Sequence, residues 1–307
     1  MSIRSTLSPA PRVTSGGSAI GGHNGAWFVL AAAVLWGTTG TSQALAPAAA
    51  TPAAIGALRL AFGGFFLLVL ATTRRAFWPP MKWPFRPTLI AALSMAAYQL
   101  CFFAGVARTG VAVGTIVGIG SSPILAGLIG FLVRRERPGW RWAAATALAL
   151  IGSTLLLLPG SSLRVNPWGI LLAIGAGASY AVFTVASKGL LDSRPPEAVM
   201  AVSFSLGALL LSPFLFFTDL SWLRQPSGLL LTLHLGLLTV AVAYTLFAYG
   251  LQRLPVAAAA TLTLAEPLTA GLLGVFLLGE RLTPPAWLGV ALIFAGLALL
   301  SLRQNSA

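Results

Sequence analysis

Acidic side chains are nearly absent from this chain: it holds six Asp and Glu in 307 residues, against 19 Lys and Arg. Charged residues of both signs reach only 8%, where soluble globular chains sit near a quarter. One cysteine, Cys101, excludes an intramolecular disulfide and suggests no metal centre. With so few acids there are no paired carboxylates, and a Walker loop, an HExxH helix and a supported Ser/His/Asp set are also missing. These absences exclude ATP-driven chemistry within the chain and leave no residues from which to expect a metal or any other cofactor. Alternating segments of about ten residues, the mark of a transmembrane barrel, are missing too. The formal charge of +13 does not signal nucleic acid, because the basic residues are not gathered on one face or in one domain.

What remains is apolar. Hydrophobic residues make up 57% of the chain, and uncharged stretches cover 13–58, 87–107, 109–133, 142–163, 165–187, 198–218, 225–252 and 282–302. A helix crosses the hydrocarbon core in about 20 residues, so the sequence predicts an all-α integral membrane protein. Ten spans are expected, at 26–46, 52–71, 87–107, 111–132, 139–158, 167–188, 196–217, 228–251, 256–278 and 284–302. Prolines such as Pro52, Pro138, Pro196, Pro255 and Pro284 mark the starts, since the first helical turn needs no donor from them. Residues 1–25, rich in Ser, Gly and Pro and without an apolar run, read as a disordered cytoplasmic tail rather than a cleaved signal.

Ten spans place both termini on one side. With the N-terminus inside, Arg4, Arg12, Arg74, Arg75, Lys82, Arg86, Arg134, Arg135, Arg137, Arg141, Lys188, Arg194, Arg253 and Arg303 face the cytoplasm. Only Arg108, Arg164, Arg224 and Arg281 face outward, so both ends are expected to be cytoplasmic. The chain also repeats itself. "PILAGLIGFLVRRER" from Pro123 aligns with "PLTAGLLGVFLLGER" from Pro267 at an offset of 144, with Glu136-Arg137 matching Glu280-Arg281. Each half, 26–158 and 167–302, holds five spans. An odd number makes the halves insert in opposite senses, and inverted repeats are strongly associated with alternating-access transporters.

Two five-span halves, "LWGTTG" at 35–40 and "EPLTAGLLGVFLLGERLTPPAWLGVALIFAG" at 266–296 look like the drug/metabolite transporter superfamily in its EamA branch. Within it the chain most resembles the single-chain ten-span exporters of the aromatic amino-acid, YddG-like kind. The resemblance covers nearly everything after residue 25. It implies a multi-pass protein of the bacterial inner (plasma) membrane that moves small molecules through a central cavity.

Polar residues inside such spans call for an explanation, because a charge at the bilayer centre costs at least about 2.5–3.5 kcal/mol. Glu266 falls near the midplane of the ninth span, and Arg59 and His234 about 10 Å below the outer surface. Glu266 is a candidate substrate-amine or proton site, or else one half of a structural ion pair with Arg59 or a group that bonds backbone freed by Pro267. The Glu-Pro pair is a property of the whole family, so the resemblance favours structure or gating, and it points to an anchoring role for Arg59. His234 either shuttles protons or bonds a backbone carbonyl. Trp27, Trp83, Trp168, Trp222 and Trp287 lie near span ends and read as an interfacial belt. Trp36, Tyr98 and Tyr180 are too deep for that, and together with Thr38, Gln99 and Tyr244 they are expected to line the substrate cavity.

The function expected is therefore export of amino acids, with aromatic or apolar side chains favoured, by a monomer whose partners are its small-molecule substrate and membrane lipid. A cation exporter of the same fold, with Glu266 as counter-charge, is the first rival. A membrane enzyme or assembly factor that transports nothing is the second.

Overall fold

The computed structural model of the protein describes residues 19–44, 46–47, 49–80, 82–157, 166–279 and 281–301. Arg4, Arg12, Arg164, Arg303, the Pro159-Gly160 turn and Glu280 of the repeat lie outside the described residues, as does most of the expected tail. Among the described residues there is no strand. The first half of the chain forms α1 (Ala19–Ala44), α2 (Pro52–Thr73), α3 (Phe85–Thr109), α4 (Val111–Arg134) and α5 (Trp140–Leu157). The second half forms α6 (Pro167–Leu191), α7 (Pro196–Leu215), α8 (Pro226–Arg253), α9 (Val256–Leu262 continued by Ala265–Leu278) and α10 (Pro284–Ser301). Nine of these are long and apolar enough to cross a membrane on their described residues, and α1 spans 26 residues.

The helices begin where the sequence places its prolines and caps. Pro52, Pro167, Pro196 and Pro226 open their helices, and the side chains of Thr51 and Asn166 accept from the N–H groups of Ala54 and Gly169 at 3.3 and 3.0 Å. At the end of α9 the chain turns at φ 69° through Gly279, a conformation that side-chain-bearing residues avoid. One boundary differs by a full turn or more. Residues 19–25, expected in the tail, are helical, and Gly25 packs against Arg253 and Leu254 at the end of α8.

The packing shows why the two halves are one design used twice. α1 lies on α8 as α6 lies on α3, α1 on α9 as α6 on α4, and α2 on α8 as α7 on α3. Two seams, α2 with α7 and α5 with α10, join equivalent helices across the halves. The senses are opposite. α1 starts beside Arg253, whereas α6 starts at the other end of the bundle, where Gly169 packs on Arg108 and Thr109. Small residues bring the seams close: a Cβ on Gly152 would sit 2.6 Å from the Gly289 carbonyl oxygen, and one on Gly296 2.7 Å from that of Ala145. The Gly114/Gly118 pair is likewise a packing surface, with Gly118 near the Ala173 carbonyl and Gly114 near Val106.

Two irregularities break the helical regularity, both in the second half. Pro267 cannot donate to Thr263, the position four residues back. The chain tightens there instead, with Leu264 N–H on the Thr261 carbonyl at 3.0 Å and Glu266 N–H on the Thr263 carbonyl at 2.9 Å. The equivalent Pro123 leaves α4 unbroken. The other irregularity is a π-helical stretch in α8, His234–Val242. The expected aromatic belt needs a correction as well. Trp27, Trp168 and Trp287 are exposed at span ends, but Trp222 is 1% exposed. It packs among Ala54, Ile55, Leu58, Leu231 and Leu235, because the short helix Ser221–Arg224 folds back under α2 and α8.

Candidate functional site

A cavity of about 140 Å³ lies at the centre of the bundle. Four of the six aromatic residues that wall it come from four different helices: Trp36 of α1, Tyr98 of α3, Tyr180 of α6 and Tyr244 of α8. Their rings form one cluster. Trp36 meets Tyr244 with centroids 4.7 Å apart and Tyr180 at 6.4 Å, edge to face, while Tyr98 meets Tyr180 at 5.6 Å. Trp36 and Tyr180 are repeat equivalents, so the pseudo-two-fold brings the same position of α1 and α6 to one site. The indole N–H of Trp36 donates to the Thr239 carbonyl at 2.8 Å, which satisfies the polar edge of a ring that is otherwise buried. Thr239 belongs to the π stretch, and its carbonyl also faces Arg59 Nη2 at 3.5 Å.

Both charged candidates line the same cavity. Arg59 is 7% exposed, and its Nε is buried with no hydrogen-bond partner. Glu266 projects from the first turn of the second segment of α9, where the break at Thr263–Leu264 sets it. A structural ion pair between the two is one of the expected roles, and no direct pair within 4.0 Å joins them here. Among the described residues the only ion pairs within 4.0 Å join Arg134 to Glu136 and to Asp192. Glu266 and Arg59 line the same cavity from different helices without forming an ion pair. Ser122, the repeat equivalent of Glu266, also lines the cavity and turns its hydroxyl back to the Ile119 carbonyl at 2.8 Å.

Three expected site residues lie elsewhere. Gln99 follows Tyr98 by one position, about 100° around the helix, so only one of them can face the centre. Gln99 instead lines a second cavity, of about 460 Å³, with Thr51, Gly56 and Leu211. Thr38 and His234 are not among the residues that wall the central cavity. They meet each other, Thr38 Oγ1 to His234 Nε2 at 2.9 Å, so the expected backbone partner of the histidine is replaced by a hydroxyl.

The structure also adds residues that residue-type reasoning passed over. Thr39, next to Thr38, lines the cavity, and its Oγ1 is buried without a partner, as is the Tyr180 hydroxyl. Phe102, Phe103, Thr115 and Thr263 complete much of the wall. The turn at Thr263 was foreshadowed by Pro267, but a hydroxyl in an apolar run carries no signal of the face it will occupy.

From mid-bundle the cavity extends toward one end only. It reaches Val106 near the end of α3, Thr115 near the start of α4 and Leu157, the last residue of α5. These share the end that carries Arg108. Toward the basic end the core is closed by Phe183, Met200, Phe204, Phe247, Leu251 and Leu254, all under 2% exposed. A polar cluster sits over that plug. Lys188 Nζ donates to the carbonyls of Leu251, Gln252 and Leu254 at 2.6, 3.0 and 3.0 Å, capping the end of α8. Gln252 Nε2 donates to the Leu191 carbonyl at 3.1 Å, and Glu136 accepts the Val256 N–H at 2.7 Å. Arg134 then links Glu136 to Asp192.

A deep, mid-bundle cavity between inverted halves is the arrangement of a secondary transporter. Two segments, 23–158 and 167–302, each match the EamA-like transporter family. The chain belongs to that family. An uncharacterized transporter of Bacillus subtilis (strain 168), YwfM, is 49% identical over 275 residues, covering 89% of this chain and 92% of its own. The threonine/homoserine exporter RhtA of Escherichia coli (strain K12) is 28% identical over 287 residues, covering 91% and 92%. A solved crystal structure shares the fold with a TM-score of 0.79 at 23% identity, covering 92% of this chain and 99% of its own. This EamA-family protein is thus a multi-pass membrane transporter made of two inverted five-helix repeats.

Proposed function

We propose that this EamA-family protein exports α-amino acids with aromatic or apolar side chains across the bacterial inner membrane by alternating access. The observation that carries the reading is the ring cluster of Trp36, Tyr98, Tyr180 and Tyr244 around a mid-bundle cavity. Rings of this kind offer apolar faces to a side chain while their N–H and O–H edges stay solvated or bonded. That RhtA is named a threonine/homoserine exporter supports the amino-acid class.

In this reading each repeat, 26–158 and 167–302, supplies one wall of the pathway, and the basic end of the bundle is cytoplasmic by the positive-inside rule. The conformation described is then outward-facing: the cavity runs toward the Arg108 end, and the plug under Lys188 closes the cytoplasmic side. Substrate would enter after that plug parts and leave past Val106, Thr115 and Leu157.

The free carboxylate of Glu266 favours a second reading, transport of organic cations. Arg59 in the same cavity opposes it, since a lone cation there meets a like charge in a low-dielectric site. Proteoliposomes loaded with a panel of labelled amino acids and, separately, aromatic amines decide between the two, with and without an imposed pH gradient. Efflux of phenylalanine or leucine supports the proposal. Efflux of amines alone replaces it with the second reading.

A further inference from the structure

Two ionisable groups of opposite sign, Glu266 and Arg59, line one cavity, and no ion pair joins them. Glu266 and Arg59 are separated by more than the 4.0 Å of an ion pair. The Glu266 carboxylate has no hydrogen-bond donor among the described residues, and Arg59 has one long contact, to the Thr239 carbonyl, with Nε unpartnered. Buried charges are ordinarily paired or hydrogen-bonded. Here both valences are held open toward the same space. Two neutral groups there are open as well, Thr39 Oγ1 and the Tyr180 hydroxyl.

We infer that the missing partner is the two ends of a zwitterion: the Glu266 carboxylate takes an α-ammonium group, and the Arg59 guanidinium takes the α-carboxylate of the same molecule. The inference rests on the amino-acid reading above and deepens it by assigning the two ends of the substrate. A molecule with both charged groups on one carbon can offer a partner to each of two side chains that do not pair with each other. A cation would satisfy Glu266 and be repelled by Arg59, and an anion would meet the reverse. The ring cluster is left for the side chain. Bound this way, the pair selects charge form, while Trp36, Tyr98, Tyr180 and Tyr244 select shape.

The test compares three ligands that share one ring: L-phenylalanine, phenethylamine and 3-phenylpropionate. Each competes against labelled phenylalanine on the purified full-length protein in nanodiscs, wild type and Glu266→Gln, Arg59→Gln and Arg59→Lys. Wild type should bind phenylalanine at least tenfold more tightly than either single ion, about 1.4 kcal/mol. Glu266→Gln should abolish the preference over 3-phenylpropionate and keep the preference over phenethylamine. Arg59→Gln should do the reverse, and Arg59→Lys should restore part of the loss. Where Arg59→Gln does not give folded protein, the nearly isosteric Glu266→Gln decides alone. Phenylalanine that binds and is transported while Glu266→Gln keeps the wild-type ratios overturns the charge pairing and leaves the amino-acid reading standing. Phenethylamine binding to wild type without any amino acid doing so overturns both.

Discussion

Replacing Trp36 with alanine tests the cavity wall most directly. The substitution removes a ring whose centroid lies 4.7 Å from Tyr244, 5.5 Å from Phe247 and 6.4 Å from Tyr180, together with its 2.8 Å hydrogen bond to the Thr239 carbonyl. Truncating a buried tryptophan costs roughly 3–5 kcal/mol of stability, so folding must be measured beside transport. Stacking of an aromatic substrate on such a ring is worth about 0.5–1.5 kcal/mol beyond area burial. At 1.4 kcal/mol per factor of ten, this predicts a loss of roughly two- to twelvefold in affinity for phenylalanine relative to alanine. Trp36→Phe keeps a ring and loses only the N–H, so it should retain most of the selectivity. The assay is counterflow in proteoliposomes with labelled phenylalanine and alanine, normalised to protein with an intact melting transition. An equal loss for both substrates in folded Trp36→Ala protein would refute the reasoning and make the ring cluster simple packing.

Further predictions address topology, closure and the seam. Epitope tags at both termini should be reached only from the cytoplasm, as the distribution of basic residues requires; a tag found outside overturns the inverted arrangement as oriented here. Lys188→Met removes three hydrogen bonds that cap α8 at 2.6–3.0 Å. In a Cys101→Ser background, a cysteine at Leu251 should then be labelled faster from the cytoplasmic side, and an unchanged rate refutes the plug. Gly152→Val places a Cβ 2.6 Å from the Gly289 carbonyl oxygen, backbone that cannot swing aside. It should destabilise the protein by about 1–3 kcal/mol, read as a lower melting temperature in detergent, while Gly139→Val, in open space, should not.

The spans were legible because the constraint on them is severe: backbone in lipid must satisfy its own hydrogen bonds, so each crossing is written as about 20 uncharged residues between prolines and basic loops. The repeat was legible from Pro123/Pro267 and the residues that follow them. Position along a span could be read as well, and Trp36, Tyr98 and Tyr180 lie together around one cavity inside the bundle. Rotation about the helix axis could not be read so well. In a span whose whole surface is apolar, no polar face marks the inside, so nothing separates Tyr98 from Gln99, or Thr39 from Thr38. Trp222 was misread for a related reason: its position at a span end suits the lipid interface, but a short helix folds it under α2 and α8.

The departures from two-fold symmetry explain where the chemistry sits. A perfectly symmetric pair of repeats would present the same groups from both halves and would have no preferred occupant or sense of closure. Here Ser122 and Glu266 occupy equivalent positions, and only the second half places a carboxylate at the cavity, while the first half places the Arg59 guanidinium there. Pro123 leaves α4 unbroken, whereas the chain breaks before Pro267 and sets Glu266 on the first turn of a half-helix. The π stretch falls in α8 and not in α3, and its Thr239 carbonyl holds both Trp36 and Arg59 from the first half. The second half therefore acts as the irregular partner that organises a regular one. Breaks in α8 and α9 lie on either side of α1, which packs on both. These are the places where small changes in helix register can move Trp36 and Glu266 relative to each other, so under the proposed alternating access the second repeat is the half expected to drive the change.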